Sequence, residues 1–232
     1  MFEFLFLDLD NTILDFDKAE SVAIPKTLAH FGVTITPELL QRYHLINKKS
    51  WEMMERGEIT RAVVGMHRFA AFFEEVGIEA DAWACEELYQ KNLAIGHYFL
   101  PGAEEAVHRL SKKYRLFLAS NGTASVQEGR MTSANLYPYF EKVYVSQQIG
   151  ASKPTKEYFD RCFAQIPDFD PKKAIIVGDS LTSDILGGIN AGIATCWINP
   201  DHLPCREDIR PDYELEGLYQ LEELLESLQK DK

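Results

Sequence analysis

Short apolar runs recur along the chain, and they are continuous rather than alternating: Phe4–Leu7, Leu116–Ala119, Val143–Val145, Ala174–Val177 and Ile193–Ile198. A strand with one wet face alternates apolar and polar residues, so unbroken runs predict strands covered on both faces. After the first run, the stretches Thr123–Asn135, Thr155–Ile166 and Ser183–Ala191 carry helical spacing. Strand alternating with helix predicts a parallel sheet. A weaker sixth strand is expected at Tyr213–Leu215, followed by an acidic amphipathic helix over Leu218–Leu228.

The gap between the first two runs breaks this rhythm. From Asp17 to Tyr98 nearly everything reads as helix, punctuated at Gly32, Pro37, Gly57, Gly77 and Gly96 into four segments. Pro25 lies inside the first and should kink or break it. Connections in compact domains are typically about 4–6 residues long, so a block of this size is an inserted domain. The fold class is therefore α/β: a Rossmann-like parallel sheet with helices on both faces, formed by residues 1–16 and 99–232, with an all-helical insert over 17–98.

Composition narrows the function classes. The chain has 232 residues, 46% hydrophobic and 26% charged, which is ordinary globular material. Its formal charge is −12, with 24 Lys and Arg against 36 Asp and Glu. That surface disfavours nucleic acid and anionic membranes, which need a basic footprint. Cys85, Cys162, Cys196 and Cys205 are scattered with no C-x-x-C pair, as in reduced thiols of a cytoplasmic protein. The six histidines show no close ligand spacing, which argues against zinc. The N-terminal stretch already contains Glu3, Asp8 and Asp10 and reads as neither a signal peptide nor a membrane span.

In a doubly wound parallel sheet, ligands bind beyond the carboxyl ends of the strands. After the first run come Asp8, Asp10, Asn11 and Thr12; after the second, Ser120, Asn121 and Gly122. A loop beyond the third lies Lys153, and after the fourth Asp179 and Ser180, with Asp184 in the next turn. Each group alone reads blandly, as a turn, a helix cap or a solvated lysine. Those separate readings do not explain why all four lie after successive strands of one sheet.

Four carboxylates at one edge repel strongly unless a hard cation sits among them, and Mg²⁺ prefers oxygen ligands while binding substrate phosphate. A carboxylate 4 Å from a dianionic phosphate costs roughly 8 kcal/mol at an effective dielectric near 20. With Mg²⁺ and Lys153 offsetting that repulsion, attack by Asp8 on phosphorus becomes a feasible covalent catalysis. Asp10 then has a distinct role, protonating the leaving oxygen and later deprotonating water.

The motifs "DLDNT", "SNG", "SKP" and "GDSLTSD" resemble the four motifs of the haloacid dehalogenase superfamily, over nearly the whole chain. The resemblance implies Asp8 as nucleophile, Asp10 as acid/base, Ser120 and the adjoining Asn121 at the phosphoryl group, and Lys153 as the third motif. It implies Mg²⁺ held by Asp8, the Asp10 carbonyl and Asp179, with Asp184 in support. The helical insert is similar to the superfamily's C1-type cap. Asp10 favours phosphate chemistry, since the dehalogenases of the superfamily lack an aspartate there. Phosphonate-cleaving members use a cap lysine, whereas Lys48 and Lys49 carry no desolvation cue.

More narrowly, "INKKSWEMMERGEIT" and "ILGGINAGIATCWIN" resemble bacterial pyrimidine 5′-nucleotidases, which implies dUMP, UMP, dTMP and non-canonical analogues as substrates. A phosphatase for a sugar phosphate or phosphoglycolate is the nearest alternative, with a phosphorylatable module without turnover, or a phosphomutase, beyond it. In the insert, Leu40, Tyr43, Asn47, Trp51 and Met54 form one helical stripe. Asn47 is a candidate for a base edge with Trp51 as a stacking surface; the competing reading is a satisfied buried amide. "GGINAG" follows a helix rather than opening one, so Gly192 reads as a helix end and Gly187 and Gly188 as packing positions.

Overall fold

Each residue of the first apolar run is fully buried, and successive side chains go to opposite sides of the strand. Phe4 and Phe6 face one core, with Phe117, Tyr144, Tyr158, Phe159 and Ile176. Leu5 and Leu7 face the other, with Val107, Leu110, Leu116, Leu118, Ile175 and Leu221. Two cores on one strand explain why the run is continuous.

The computed structural model describes residues 1–230. Its strands are β1 (Phe4–Leu7), β2 (Arg115–Ser120), β3 (Lys142–Val145), β4 (Ala174–Gly178), β5 (Ala194–Ile198) and β6 (Tyr213–Leu215). They form one sheet of order β3-β2-β1-β4-β5-β6, and every pair is parallel. The chain builds outward from β1 through β2 to β3, then returns to β4 on the other side. The switch point thus lies between β1 and β4, where an open parallel sheet has its binding crevice.

The chain divides into two compact units, residues 1–16 with 97–232 and residues 17–96. Helices α1 (Phe16–His30), α2 (Pro37–Glu55), α3 (Val64–Val76) and α4 (Ala82–Leu93) make up the second unit from residue 17. The first unit adds α5 (Ala103–Leu110), α6 (Ala124–Ser133), α7 (Ser146–Ile149), α8 (Lys156–Phe163), α9 (Leu186–Ala191) and α10 (Leu221–Lys230). Among the described residues no helix is long and apolar enough to cross a membrane.

Two expectations need correction. Of the kink or break expected at Pro25, the break does not occur: helix α1 runs through it to His30. The missing amide and the ring clash cost about 3 kcal/mol. Beyond that point Leu28 is buried, as Ile24 is just before it, and burying two such side chains contributes roughly 3–6 kcal/mol. Packing outweighs the local penalty. The helix expected from Ser183 instead starts as a π-helical turn over Leu181–Ile185 before α9 begins. That wide turn brings the Asp184 Oδ2 back to accept from the Ser180 N–H at 3.1 Å. The glycines of α9 are packing positions, with a β-carbon on Gly188 falling 2.6 Å from Ile176 and Thr195 side-chain atoms.

The helical unit has a polar interior network. Buried Glu20 on α1 accepts from Asn47 Nδ2 at 2.7 Å and from the Tyr89 hydroxyl at 3.0 Å, and pairs with His44 Nδ1. Buried Arg68 pairs with Glu86 at 2.6 Å and donates to Asn47 Oδ1 at 3.0 Å. One amide thereby links α1, α2 and α3.

Candidate active site

The strand ends bring together what the chain keeps far apart. Asp8 follows β1, and its N–H donates to the Val177 carbonyl of β4 at 2.9 Å. Asp179 follows β4, with its carbonyl oxygen fixed by the Trp197 indole N–H at 2.7 Å. Lys153 is buried, and its ammonium donates to Asp8 Oδ1 at 2.7 Å, Asp184 Oδ1 at 2.6 Å and the Ala119 carbonyl at 2.6 Å. An ammonium has three protons, and here each has an acceptor.

Ligand oxygens of Asp8, Asp179 and Asp184 all lie within 4.8 Å of one another. When all three are ionised, three carboxylates against one ammonium leave two negative charges uncompensated. Oxygens on one octahedral shell around Mg²⁺ lie roughly 3–4 Å apart, so this cluster suits a hard divalent cation. Both Asp184 oxygens are already held, by Lys153 and the Ser180 N–H. Gly178 makes the cluster sterically feasible, since a β-carbon there would fall 2.2 Å from the Asp184 carboxylate.

The electrostatics follow from burial. Desolvation pushes the Asp8 carboxyl up to about 7; Lys153 opposes the rise, and Asp184 and Asp10 add to it. Asp179 is raised well above the usual carboxylate range by burial and then by Asp184 and Asp8. For Lys153 burial acts downward, but Asp184 and Asp8 outweigh it and hold the ammonium charged.

The raised Asp8 carboxyl gives stability a direction with pH. An unfolded Asp ionises near 4 and the folded Asp8 near about 7, so between those values the folded state holds the extra proton. Metal-free stability from this group therefore falls as pH rises through that window. A cation that binds the ionised cluster recovers it. The expected result is a metal-free Tm that declines from pH 5 to pH 8 and a Mg²⁺-induced rise in Tm that grows over the same range. At 100 times its dissociation constant, Mg²⁺ contributes about 2.7 kcal/mol, on the order of 5 °C in Tm. A Mg²⁺ shift independent of pH in a calorimetric titration would contradict it.

Ser120 is buried at the end of β2, and its Oγ accepts from the Gly122 N–H at 3.0 Å and from Gln127 Nε2 at 2.8 Å. A hydroxyl has two acceptor sites and one proton, so with both sites filled the proton is left to donate. Asn121 holds the Lys153 backbone from both sides: Nδ2 donates to its carbonyl at 2.8 Å, and Oδ1 accepts from its N–H at 3.0 Å. Asn11 adopts a left-handed backbone with φ 53°, and its Oδ1 accepts from the Phe16 N–H at 2.9 Å, closing the turn after Asp10.

Asp10 is half-buried, and its partners are ones that sequence reasoning missed. Arg130 Nη1 pairs with Asp10 Oδ1, and Gln127 Nε2 donates to Oδ2 at 2.7 Å. Both partners are buried on α6. Their spacing of three puts them on one helix face, which is the one signal a sequence reading had available.

Asn47 and Trp51 belong to the helical unit. Asn47 is buried, with its amide bonded to Glu20 and Arg68, the arrangement of a satisfied interior amide. Trp51 is half-buried, its ring centre 5.0 Å from the Arg61 guanidinium. Lys48 and Lys49 are both exposed.

The chain matches the haloacid dehalogenase-like hydrolase family model over residues 5–198. It is 37% identical to the pyrimidine 5′-nucleotidase PynA of Streptococcus pneumoniae, over 99% of this chain and 96% of that protein. With the pyrimidine 5′-nucleotidase YjjG of Escherichia coli the identity is 32%, over 96% and 97% of the two chains. The crystal structure of the HAD-hydrolase YfnB of Bacillus subtilis, bound to magnesium, superposes with a TM-score of 0.93 at 38% identity, covering 97% of this chain and 98% of that one.

Proposed function

The chain belongs to the haloacid dehalogenase-like hydrolase family, and from that premise we propose that it is a Mg²⁺-dependent 5′-nucleotidase for pyrimidine nucleoside monophosphates. The observation that carries the phosphatase chemistry is the clustering of Asp8, Asp179 and Asp184 within 4.8 Å of one another, with Asp8 and Asp184 both bonded to the buried ammonium of Lys153. The substrate class rests on the likeness to PynA and YjjG.

Asp8 attacks the phosphorus, forming an aspartyl-phosphate as the bond from phosphorus to the 5′ oxygen breaks. Asp10 gives its proton to that oxygen, so the nucleoside leaves as a neutral alcohol. Water then attacks the same phosphorus, Asp10 takes its proton, and the Asp8 carboxylate departs. Ser120 directs its free proton at a phosphoryl oxygen, and Lys153 supplies positive charge beside Asp8 throughout. Asp8 and Asp179 are the carboxylates, and Asp10 the carbonyl, that would hold Mg²⁺, with Asp184 in support. When bound, Mg²⁺ offsets carboxylate and phosphate charge.

The test is phosphate release with Mg²⁺ over dUMP, UMP, dTMP, purine monophosphates, a sugar phosphate and phosphoglycolate. The expected kcat/KM favours the pyrimidine nucleotides by about tenfold or more, the scale on which pocket contacts discriminate. A higher value for a sugar phosphate or phosphoglycolate would replace the substrate while keeping the chemistry. Stoichiometric phosphorylation without turnover would replace the enzyme by a switch.

A further inference from the structure

Asp10 has a donor on each of its oxygens, and both donors come from one face of α6. Arg130 pairs with Oδ1, while Gln127 Nε2 donates to Oδ2 at 2.7 Å and to Ser120 Oγ at 2.8 Å. Gln127 Oε1 in turn accepts from Arg130 Nη1 at 3.4 Å. The guanidinium lies 5.8 Å from the Phe16 ring centre, and Arg130 is fully buried. The helix therefore ties the carboxylate of one strand-end loop to the hydroxyl of another.

An aspartate carboxylate hops between staggered wells about its first bond and turns broadly about its second unless its oxygens are tethered. Two donors on different oxygens remove that freedom, and proton transfer needs it removed: a misplacement of about 1 Å lowers rates on the order of 10²-fold. The shared Gln127 amide sets the heading of Asp10 relative to Ser120, and so relative to a phosphoryl group that Ser120 holds.

We propose that Arg130, assisted by Gln127, is a positioning residue that aims the Asp10 carboxyl at the ester oxygen of the leaving group. The inference rests on the acid/base reading of Asp10 under the proposed function. The competing account makes Arg130 a structural charge that only anchors α6. The two differ in how they treat the leaving group. Nitrophenolate departs without a proton, whereas a 5′ alkoxide requires one. A misaimed acid therefore harms alkyl esters selectively, while a loosened fold harms both alike.

The experiment compares kcat/KM of Arg130→Met and Arg130→Lys on dUMP and on 4-nitrophenyl phosphate, with Asp10→Asn alongside and a thermal melt of each variant. Because kcat/KM covers the steps through cleavage of the ester bond, it reads the acid directly. Arg130→Met should lose on the order of 10²-fold on dUMP and less than about 3-fold on the aryl ester. Arg130→Lys keeps the charge without the fork and should lose about tenfold on dUMP. If Arg130→Met does not fold, Arg130→Lys and Gln127→Leu carry the comparison. Equal losses on the two esters would overturn the proposal. Should Asp10→Asn itself show no split, the acid reading and the proposal both fall; if it shows the split and the Arg130 variants do not, the proposal alone falls.

Discussion

Asp8→Asn is expected to reduce phosphate release by on the order of 10⁴-fold or more on every ester, the scale seen when a covalent nucleophile is removed. The metal-free protein should keep its melting temperature or gain a little. These outcomes pull in opposite directions for a physical reason. Asp8 is buried and crowded by Asp184 and Asp10, and its carboxyl is pushed up to about 7. Its ionised form is therefore a strain on the fold near neutral pH, and a neutral amide of the same shape relieves it. The same amide is a poor nucleophile and removes one oxygen donor from the cation cluster. Parallel phosphate-release and melting assays check the pair of results. A large loss of stability together with activity would mark Asp8 as a fold residue.

Lys153→Met should behave differently, losing activity and stability together. The ammonium holds Asp8, Asp184 and the Ala119 carbonyl, and among the described residues it is the one cation in that cluster. Without it, Asp8 and Asp184 face each other with only solvent and metal to separate their charges. Removing one member of a buried ion pair costs about 3–5 kcal/mol, and here one cation serves two carboxylates. Phosphate binding loses the same charge, so kcat/KM should fall on the order of 10³-fold, since one buried charge-assisted contact of a few kcal/mol is missing from the transition state. High Mg²⁺ should recover part of the stability but little of the rate, because the cation offsets carboxylate charge without replacing the donor at Asp8. Urea unfolding with and without Mg²⁺ checks the stability, and a variant as stable as the parent would contradict this expectation.

The sheet was legible because its strands are buried on both faces, which leaves a continuous apolar run that no turn or amphipathic helix imitates. β1 shows the reason directly, with Phe4 and Phe6 in one core and Leu5 and Leu7 in the other. The acidic cluster was legible because parallel strands all end at one edge, so residues after β1 and β4 meet whatever their distance in the chain. What the sequence could not show is who fixes whom across long separations. Arg130 lies 120 residues from Asp10, and between Val126 and Met131 it reads like any solvated arginine on a helix. Asn47 stood out as polar on an apolar stripe, but its partner Glu20 lies 27 residues away on another helix. The π-helical turn at Leu181–Ile185 has no local signature either, because it is set by Asp184 reaching Ser180 and Lys153. Pro25 misled in the opposite sense, since a strong local breaker was outweighed by tertiary burial.

All of the proposed chemistry depends on the phosphoryl group passing through the side chain of residue 8. Acid quench during turnover of dUMP with Mg²⁺, followed by borohydride reduction and peptide mapping, probes that passage, because borohydride reduces an aspartyl-phosphate to homoserine. Homoserine is expected at position 8 in turning-over enzyme, and none in enzyme without substrate. Full-rate phosphate release with residue 8 recovered as aspartate, or homoserine at another aspartate position, would refute an Asp8 phosphoenzyme.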